Sequence, residues 1–427
     1  MEDAATSTKH LDWQGQPPRG WNSYDAYGSS VTESQMLANS QALHDRLGPL
    51  GFDLITLDYC WSHPDPGPVA NPDQGPDLSP PLAMDRHGRL LPAVERFPAA
   101  VGNRGLKPIG DALHARGQRF GLHMMRGIPR QAVMAKCPVL GGGGAVAEDI
   151  ADASATCNWL DQMVGVKTDH PAGQAYYDSV IDLYASWGVD YIKADDLAAT
   201  QAGYADREIE AIRRAIDRTG RPIVLSLSPG PAPVHQAEHL RQNANLWRMS
   251  PDFWDEWGKL RSMFALCARW ASQVDRPDRG GWPDCDMIPI GPISQNGPHG
   301  EPRRSRFTPD ETRTMLNLWG IFRSPLILGG DLTRLNEAEW SILADPMYLD
   351  AHRHGRRPTK VLLDEELEVW QSTDSDGKVA FVAIFNLTDA DLEIDSNPGL
   401  RDHPGLAKVR PPVGTLPAHG STLFRIT

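Results

Sequence analysis

The sequence predicts an α/β fold, a (β/α)₈ TIM barrel followed by a small C-terminal antiparallel β-sandwich. Three observations predict it. Eight short apolar runs alternate with stretches of helical period through most of the chain, carboxylates collect at the ends of several runs, and after about Thr359 the pattern changes to alternating strands. The 427 residues suit a barrel of roughly 250 to 350 residues plus a second domain. The predicted division is residues 1–355 for the barrel and 356–427 for the sandwich.

The predicted barrel strands are Gly20 to Tyr24, Leu54 to Tyr59, Arg119 to Met125, Val189 to Asp195, Pro222 to Ser228, Leu246 to Ser250, a poorly patterned stretch around Trp282, and Pro325 to Gly329. Between them, helical period marks Ser34 to Leu47, Gly173 to Trp187 and Asp310 to Phe322, the last opened by Thr308 as N-cap and Pro309 in the first turn. Beyond the barrel, Glu368 to Gln371 and Val379 to Phe385 alternate as strands around the turn signal Asp376-Gly377. Two long loops, His63 to about Pro98 and Arg126 to about His170, follow strands. That position puts them at the C-terminal rim, where barrel enzymes build their sites.

Composition narrows the function. A formal net charge of -13 argues against a polyanionic partner, because nucleic-acid binders carry a basic stripe. A neutral substrate fits better, and 13 tryptophans supply aromatic faces for stacking. No run of about 18 apolar residues suggests a membrane span, and Met1 to Asp12 has neither a basic n-region nor an apolar h-region. The expected location is the cytoplasm, or outside the cell if a leader has been cleaved. Cys60, Cys137, Cys157, Cys267 and Cys285 have no C-x-x-C spacing, which fits reduced thiols better than disulfides or a zinc site.

Carboxylates at strand ends are the first candidates for chemistry, because strand ends are rigid and face the pocket. Asp58, the pair Asp195 and Asp196, then Asp252 with Asp255, and finally Asp284 with Asp286 stand at four such ends. Any one of them alone could cap the next helix, but four together favour a site. Lys193 lies two residues before Asp195 on the same face of the strand, and a neighbouring cation keeps a carboxylate ionised. A nucleophile needs that environment, whereas its acid partner must hold a proton near neutral pH.

The segments Gly20-Trp21-Asn22-Ser23, Leu57-Asp58-Tyr59-Cys60-Trp61, Asp190 to Asp195, Trp247-Arg248, Gly280 to Met287, and Leu318-Trp319-Gly320 with Gly330-Asp331-Leu332 resemble, in order, the α-galactosidase family, glycoside hydrolase family 27. The resemblance implies Asp195 as nucleophile and Asp252 as acid/base. It also implies Lys193 and Arg248 as sugar-binding groups, Trp21 as an apolar wall and Asp58 as a hydroxyl-binding carboxylate. Trp282 and Asp286 join the expected substrate site from inside a matched motif. The implied reaction is retaining double displacement on α-galactoside-like bonds, with a glycoside or oligosaccharide as partner and no metal or organic cofactor. Family members often associate, which leaves a homo-oligomer open.

Three departures bear on the substrate. Tyr59 replaces the second member of the family's usual Asp-Asp pair, and one hydroxyl acceptor is lost. Ser228 stands where galactosidases often place Glu and the N-acetylgalactosaminidase branch places Ser. The third strand ends His123-Met124-Met125-Arg126 where better-known members have a Tyr, so His123 and Arg126 are also candidates for the substrate site. Arg126 has a rival role as a structural ion pair. The same mechanism on an α-N-acetylgalactosaminide, a β-L-arabinopyranoside or an α-glucan stays open, as does a noncatalytic carbohydrate-binding barrel. His235-Gln236-Ala237-Glu238-His239 fits a zinc-peptidase pattern but reads better as a helix start, and Gly141 to Gly144 as a flexible loop. Trp159 and Trp254 are weaker sugar-platform candidates than Trp282.

Overall fold

A computed structural model describes residues 8–66, 81–157, 159–274, 280–296, 301–363, 366–394, 397, 400 and 411–426. The middle of the first long loop, 67–80, lies outside them. Eight parallel strands among the described residues form the barrel: β1 (Arg19–Asn22), β2 (Leu54–Leu57), β3 (Arg119–Met125), β4 (Tyr191–Asp195), β5 (Val224–Leu227), β6 (Leu246–Arg248), β7 (Trp282–Asp284) and β8 (Leu326–Leu328). Each pairs with its sequence neighbour, and β8 returns to β1 through Arg19↔Leu326 and Trp21↔Leu328. A parallel bridge between Ile288 and Leu328 joins the β7 end to β8 and closes the ring.

Buried on both faces, these strands read as short continuous apolar runs rather than as alternation. Leu54–Leu57 and Val224–Leu227 are buried at every position. Helices Glu33–Leu47, Lys107–His114, Pro171–Ser186, Asp206–Thr219, Ala237–Asn243, Trp257–Trp270 and Pro309–Phe322 make the crossovers. The last begins as its sequence predicts, with the Thr308 hydroxyl accepting from the Glu311 amide and the Glu311 carboxylate accepting from the Thr308 amide.

The second long loop is more ordered than its composition suggests. It folds into a three-stranded antiparallel sheet (Ile128–Pro129, Ala151–Cys157 and Leu160–Val166) standing over the C-terminal rim. The histidine-rich pentapeptide starts helix Ala237–Asn243, where His239 bonds the Tyr204 hydroxyl and Glu210.

From Arg356 the chain forms β9 (Arg356–Leu363), β10 (Leu367–Thr373), β11 (Val379–Asn386), β12 (Leu392–Glu393), β13 (Thr415–Leu416) and β14 (Ser421–Arg425). The sheet β9-β10-β11-β14 is antiparallel, and β12 pairs with β13. Period-2 alternation sends Leu367, Val369, Val382 and Ile384 into a small core with Ile394 and Leu416, while Trp370, Phe381, Ala383 and Phe385 join the barrel core. Phe385 meets Phe264 edge-on, and Trp370 meets Phe322 likewise. No helix among the described residues is long and apolar enough to cross a membrane.

Candidate active site

A cleft of about 290 Å³ opens at the C-terminal ends of the strands, lined by Tyr24, Asp25, Asp58, Tyr59, Trp159, Lys193, Asp195, Ser228, Asp252, Trp254, Asp286 and Met287, with Phe253 and three loop residues. Asp58, Lys193, Asp195, Ser228, Arg248 and Asp286 arrive from five different strands or strand ends. That convergence is what parallel closure achieves, since residues distant in sequence end their strands at one mouth.

At the end of β4, Asp195 is 15 % exposed. One carboxylate oxygen accepts from the Ser228 hydroxyl at 2.8 Å and from the Asp196 amide at 3.0 Å, and the other lies 3.2 Å from His123 Nε2. Burial alone would raise its pKa. The bond and charge of His123, the Lys193 ammonium and the Ser228 hydroxyl outweigh burial and hold the group well below the usual carboxylate range. Asp195 is thus an anion whose lone pairs are positioned by donors on three sides.

Lys193 Nζ donates to Asp58 Oδ2 at 2.8 Å, and the Tyr59 amide donates to Asp58 Oδ1 at 2.6 Å. Burial opposes charge on both members, but Asp58, Asp195 and Asp286 keep the lysine protonated, and Lys193 with His123 keeps Asp58 ionised. Across the cleft, Asp252 is 61 % exposed. Arg248 spans from Asp252 Oδ1 at 3.0 Å to Asp286 Oδ1 at 2.6 Å, and the Phe253 amide caps Asp286 Oδ2 at 2.8 Å. Burial, partly offset by Arg248 and reinforced by the Asp252 charge, pushes Asp286 up to about 7.

Tyr59 is a wall of this cleft. Its ring packs with Cys60, Met125, Cys157, Leu160 and Met163, and meets the edges of His123 and Trp159. The side of the cleft next to Asp58 therefore presents an aromatic ring where a carboxylate would offer two acceptor oxygens.

The remaining expected site residues divide between the cleft and places away from it. Arg126 does not line the cleft: it is buried, donating to Asp196 at 2.6 Å, to Glu208 at 3.0 Å and to the carbonyls of Thr156 and Asp196. These acceptors beneath the rim match its fork, so the ion-pair role replaces the substrate role. Trp282, at the start of β7 and so at the opposite end of the barrel, donates Nε1 to the Gln14 carbonyl at 2.8 Å beneath the Arg323 guanidinium. Trp21 is buried within β1, Nε1 donating to the Gly330 carbonyl at 2.7 Å, and Tyr24 takes the wall position instead. His123 is buried behind Asp195 and reaches the cleft through it. Trp159 and Trp254 line the cleft, the former from the turn between two strands of the rim sheet. Asp25 also lines it, three residues past β1, where the strand-end rule applied to the other strands would have found it. Among the described residues no group of three or more His, Cys, Asp or Glu is disposed to hold a metal ion.

Residues 159–351, which carry most of these groups, match the family model described as alpha galactosidase A. An α-galactosidase of Cyamopsis tetragonoloba is 25% identical over 369 residues, covering 86% of this chain and 72% of that one. Among solved structures, a family 27 β-L-arabinopyranosidase of Geobacillus stearothermophilus superposes with a TM-score of 0.89 at 40% identity, covering 99% of this chain and 98% of that one. A candidate α-N-acetylgalactosaminidase of Bacillus halodurans follows at 0.80 and 39% identity, covering 96% and 97%. Identity of this order along the whole of both chains, with the rim carboxylates already in one cleft, means that the protein belongs to glycoside hydrolase family 27 and is a retaining glycoside hydrolase.

Proposed function

We propose that this enzyme hydrolyses β-L-arabinopyranosides, with Asp195 as nucleophile and Asp252 as acid/base. One observation carries the choice of sugar: Tyr59 fills the place beside Asp58 with a packed ring where the resemblance to the family calls for a second carboxylate. L-Arabinopyranose in the β configuration keeps the ring stereochemistry of an α-galactoside but lacks the exocyclic carbon and its hydroxyl. One carboxylate fewer in the site matches one hydroxyl fewer in the sugar. The 40% identity to a β-L-arabinopyranosidase, and to a variant of that enzyme crystallised with arabinose, supports the same reading.

In the first step Asp195 attacks the anomeric carbon while Asp252 gives a proton to the departing oxygen. The exposure of Asp252 at the mouth leaves room for the aglycone beside it. In the second step Asp252 takes a proton from water, water attacks the anomeric carbon, and the ester to Asp195 breaks, with two inversions giving net retention. Asp58 and Lys193 are disposed to bind ring hydroxyls, and Ser228 and His123 to orient the nucleophile.

The test is release of nitrophenol from the β-L-arabinopyranoside, α-galactoside, α-N-acetylgalactosaminide and α-glucoside by wild type, Asp195→Ala and Asp252→Ala. The arabinopyranoside should have the highest kcat/KM, and Asp195→Ala should abolish turnover. A preference for the α-galactoside would overturn the sugar assignment, and full activity of Asp195→Ala would overturn the nucleophile.

A further inference from the structure

Asp25 is a carboxyl group of the cleft that the structure leaves without a partner. It is 1% exposed, it lines the cleft, and neither carboxyl oxygen has a hydrogen-bond partner among the described residues. Neighbouring carboxylates are treated differently: Asp58, Asp195 and Asp286 each accept at both oxygens. Buried polar groups in native proteins are almost always paired, and an unpaired one costs stability. A carboxyl that is unpaired and faces an open cleft is available to whatever enters it.

The surroundings make room for this carboxyl. Gly329 follows β8, and a Cβ at that position would come within 2.0 Å of Asp25 Oδ2. The glycine clears the space that the carboxyl occupies. Its backbone is also fixed, since the Ser294 amide donates to the Asp25 carbonyl at 2.7 Å.

We propose that Asp25 is a further sugar-binding residue of this cleft, its carboxyl group hydrogen-bonding a hydroxyl of the bound glycoside on the side shared by Lys193 and Asp286. The assignment rests on the reading of the cleft as the substrate site. Burial first, then the charge of Asp286, then those of Asp252 and Asp58, raise its pKa well above the carboxylate range against the opposing pull of Lys193. A carboxyl shifted in this direction favours its protonated form, which has one donor and further acceptor capacity and suits a hydroxyl that both gives and takes a hydrogen bond. A site with a polar group paired only by substrate also rejects analogues lacking the matching hydroxyl, because they leave that group unsatisfied.

The test separates this residue from the choice of sugar. In the Asp195→Ala background, where binding proceeds without turnover, L-arabinose and D-galactose are titrated calorimetrically into the parent, Asp25→Ala and Asp25→Asn. Asp25→Ala should weaken whichever sugar binds by about tenfold or more without lowering the melting temperature, and Asp25→Asn, which keeps a donor and an acceptor, should stay within about threefold. The identity of the sugar that binds reads on Tyr59, whereas the loss on truncation reads on Asp25 for either sugar. Unchanged affinity in a folded Asp25→Ala protein overturns the assignment, as does equal loss in both variants together with a lower melting temperature. Binding of neither sugar by the folded parent counts against both readings. If Asp25→Ala does not fold, crystals of the Asp195→Ala protein with the bound sugar decide: an Asp25 oxygen within about 3.2 Å of a sugar hydroxyl is expected, and its absence overturns the proposal.

Discussion

Replacing Arg126 with alanine should damage folding far more than substrate binding. Arg126 and Asp196 have side chains 5% and 2% exposed, and Glu208 is 10% exposed, so removal strands two carboxylates away from water. Breaking a buried pair from one side costs about 3–5 kcal/mol. At about 2.1 cal/mol/K per residue, unfolding 427 residues carries about 0.9 kcal/mol/K of entropy, so the melting temperature should fall by about 3–6 °C. The deficit has a pH signature. Burial already pushes Asp196 up to about 6 despite Arg126, and without the guanidinium its folded pKa rises further. A carboxyl raised in the folded state contributes stability that is full below its unfolded pKa and is lost as pH rises through the folded value. The variant should therefore be closer to wild type at pH 5 than at pH 8. Urea unfolding at the two pH values, with KM for the nitrophenyl glycoside measured on folded protein, provides the assay. An intact unfolding midpoint combined with a KM raised tenfold would refute this reasoning and return Arg126 to the substrate.

Trp282→Ala should cost about 3–5 kcal/mol of stability, the range for truncating a buried tryptophan, and leave KM within about twofold; a selective rise in KM would restore it as a sugar platform. Removing His123 takes away the leading influence that holds Asp195 low, so the acid limb of kcat/KM in His123→Ala should move to higher pH, since the nucleophile now protonates sooner. An acid limb unchanged from wild type would disconnect His123 from the nucleophile. Tyr59→Asp restores a carboxylate beside Asp58 and opens the aromatic wall, so the ratio of α-galactoside to β-L-arabinopyranoside kcat/KM should rise at least about tenfold; an unmoved ratio would mean that Tyr59 does not set the sugar.

Local signals in the chain determined a good deal about this protein. Continuous apolar runs predicted most of the barrel strands because both faces of a closed parallel sheet are buried, and the Thr308, Pro309 and Glu311 arrangement marked a helix start because it pairs backbone groups within one turn. The pleat placed Lys193 and Asp195 on one face, and strand ends pointed to Asp58, Asp252 and Asp286. The fates of single large side chains were decided only in three dimensions. Trp282 and Trp254 are both tryptophans close to rim motifs, yet one starts its strand at the closed end of the barrel and the other follows β6 at the open end. Arg126 carries the same fork whether it meets a substrate or Asp196 and Glu208, and those partners lie 70 and 82 residues away. Asp25 differs from Asp58 only in what surrounds it: Lys193 and Asn22 complete the one, and Gly329 leaves a space for the other. Periodicity reports which face of its own element a residue occupies, whereas a hydrogen-bond partner or an open cleft is contributed by other strands, and only closure of the barrel brings those strands together.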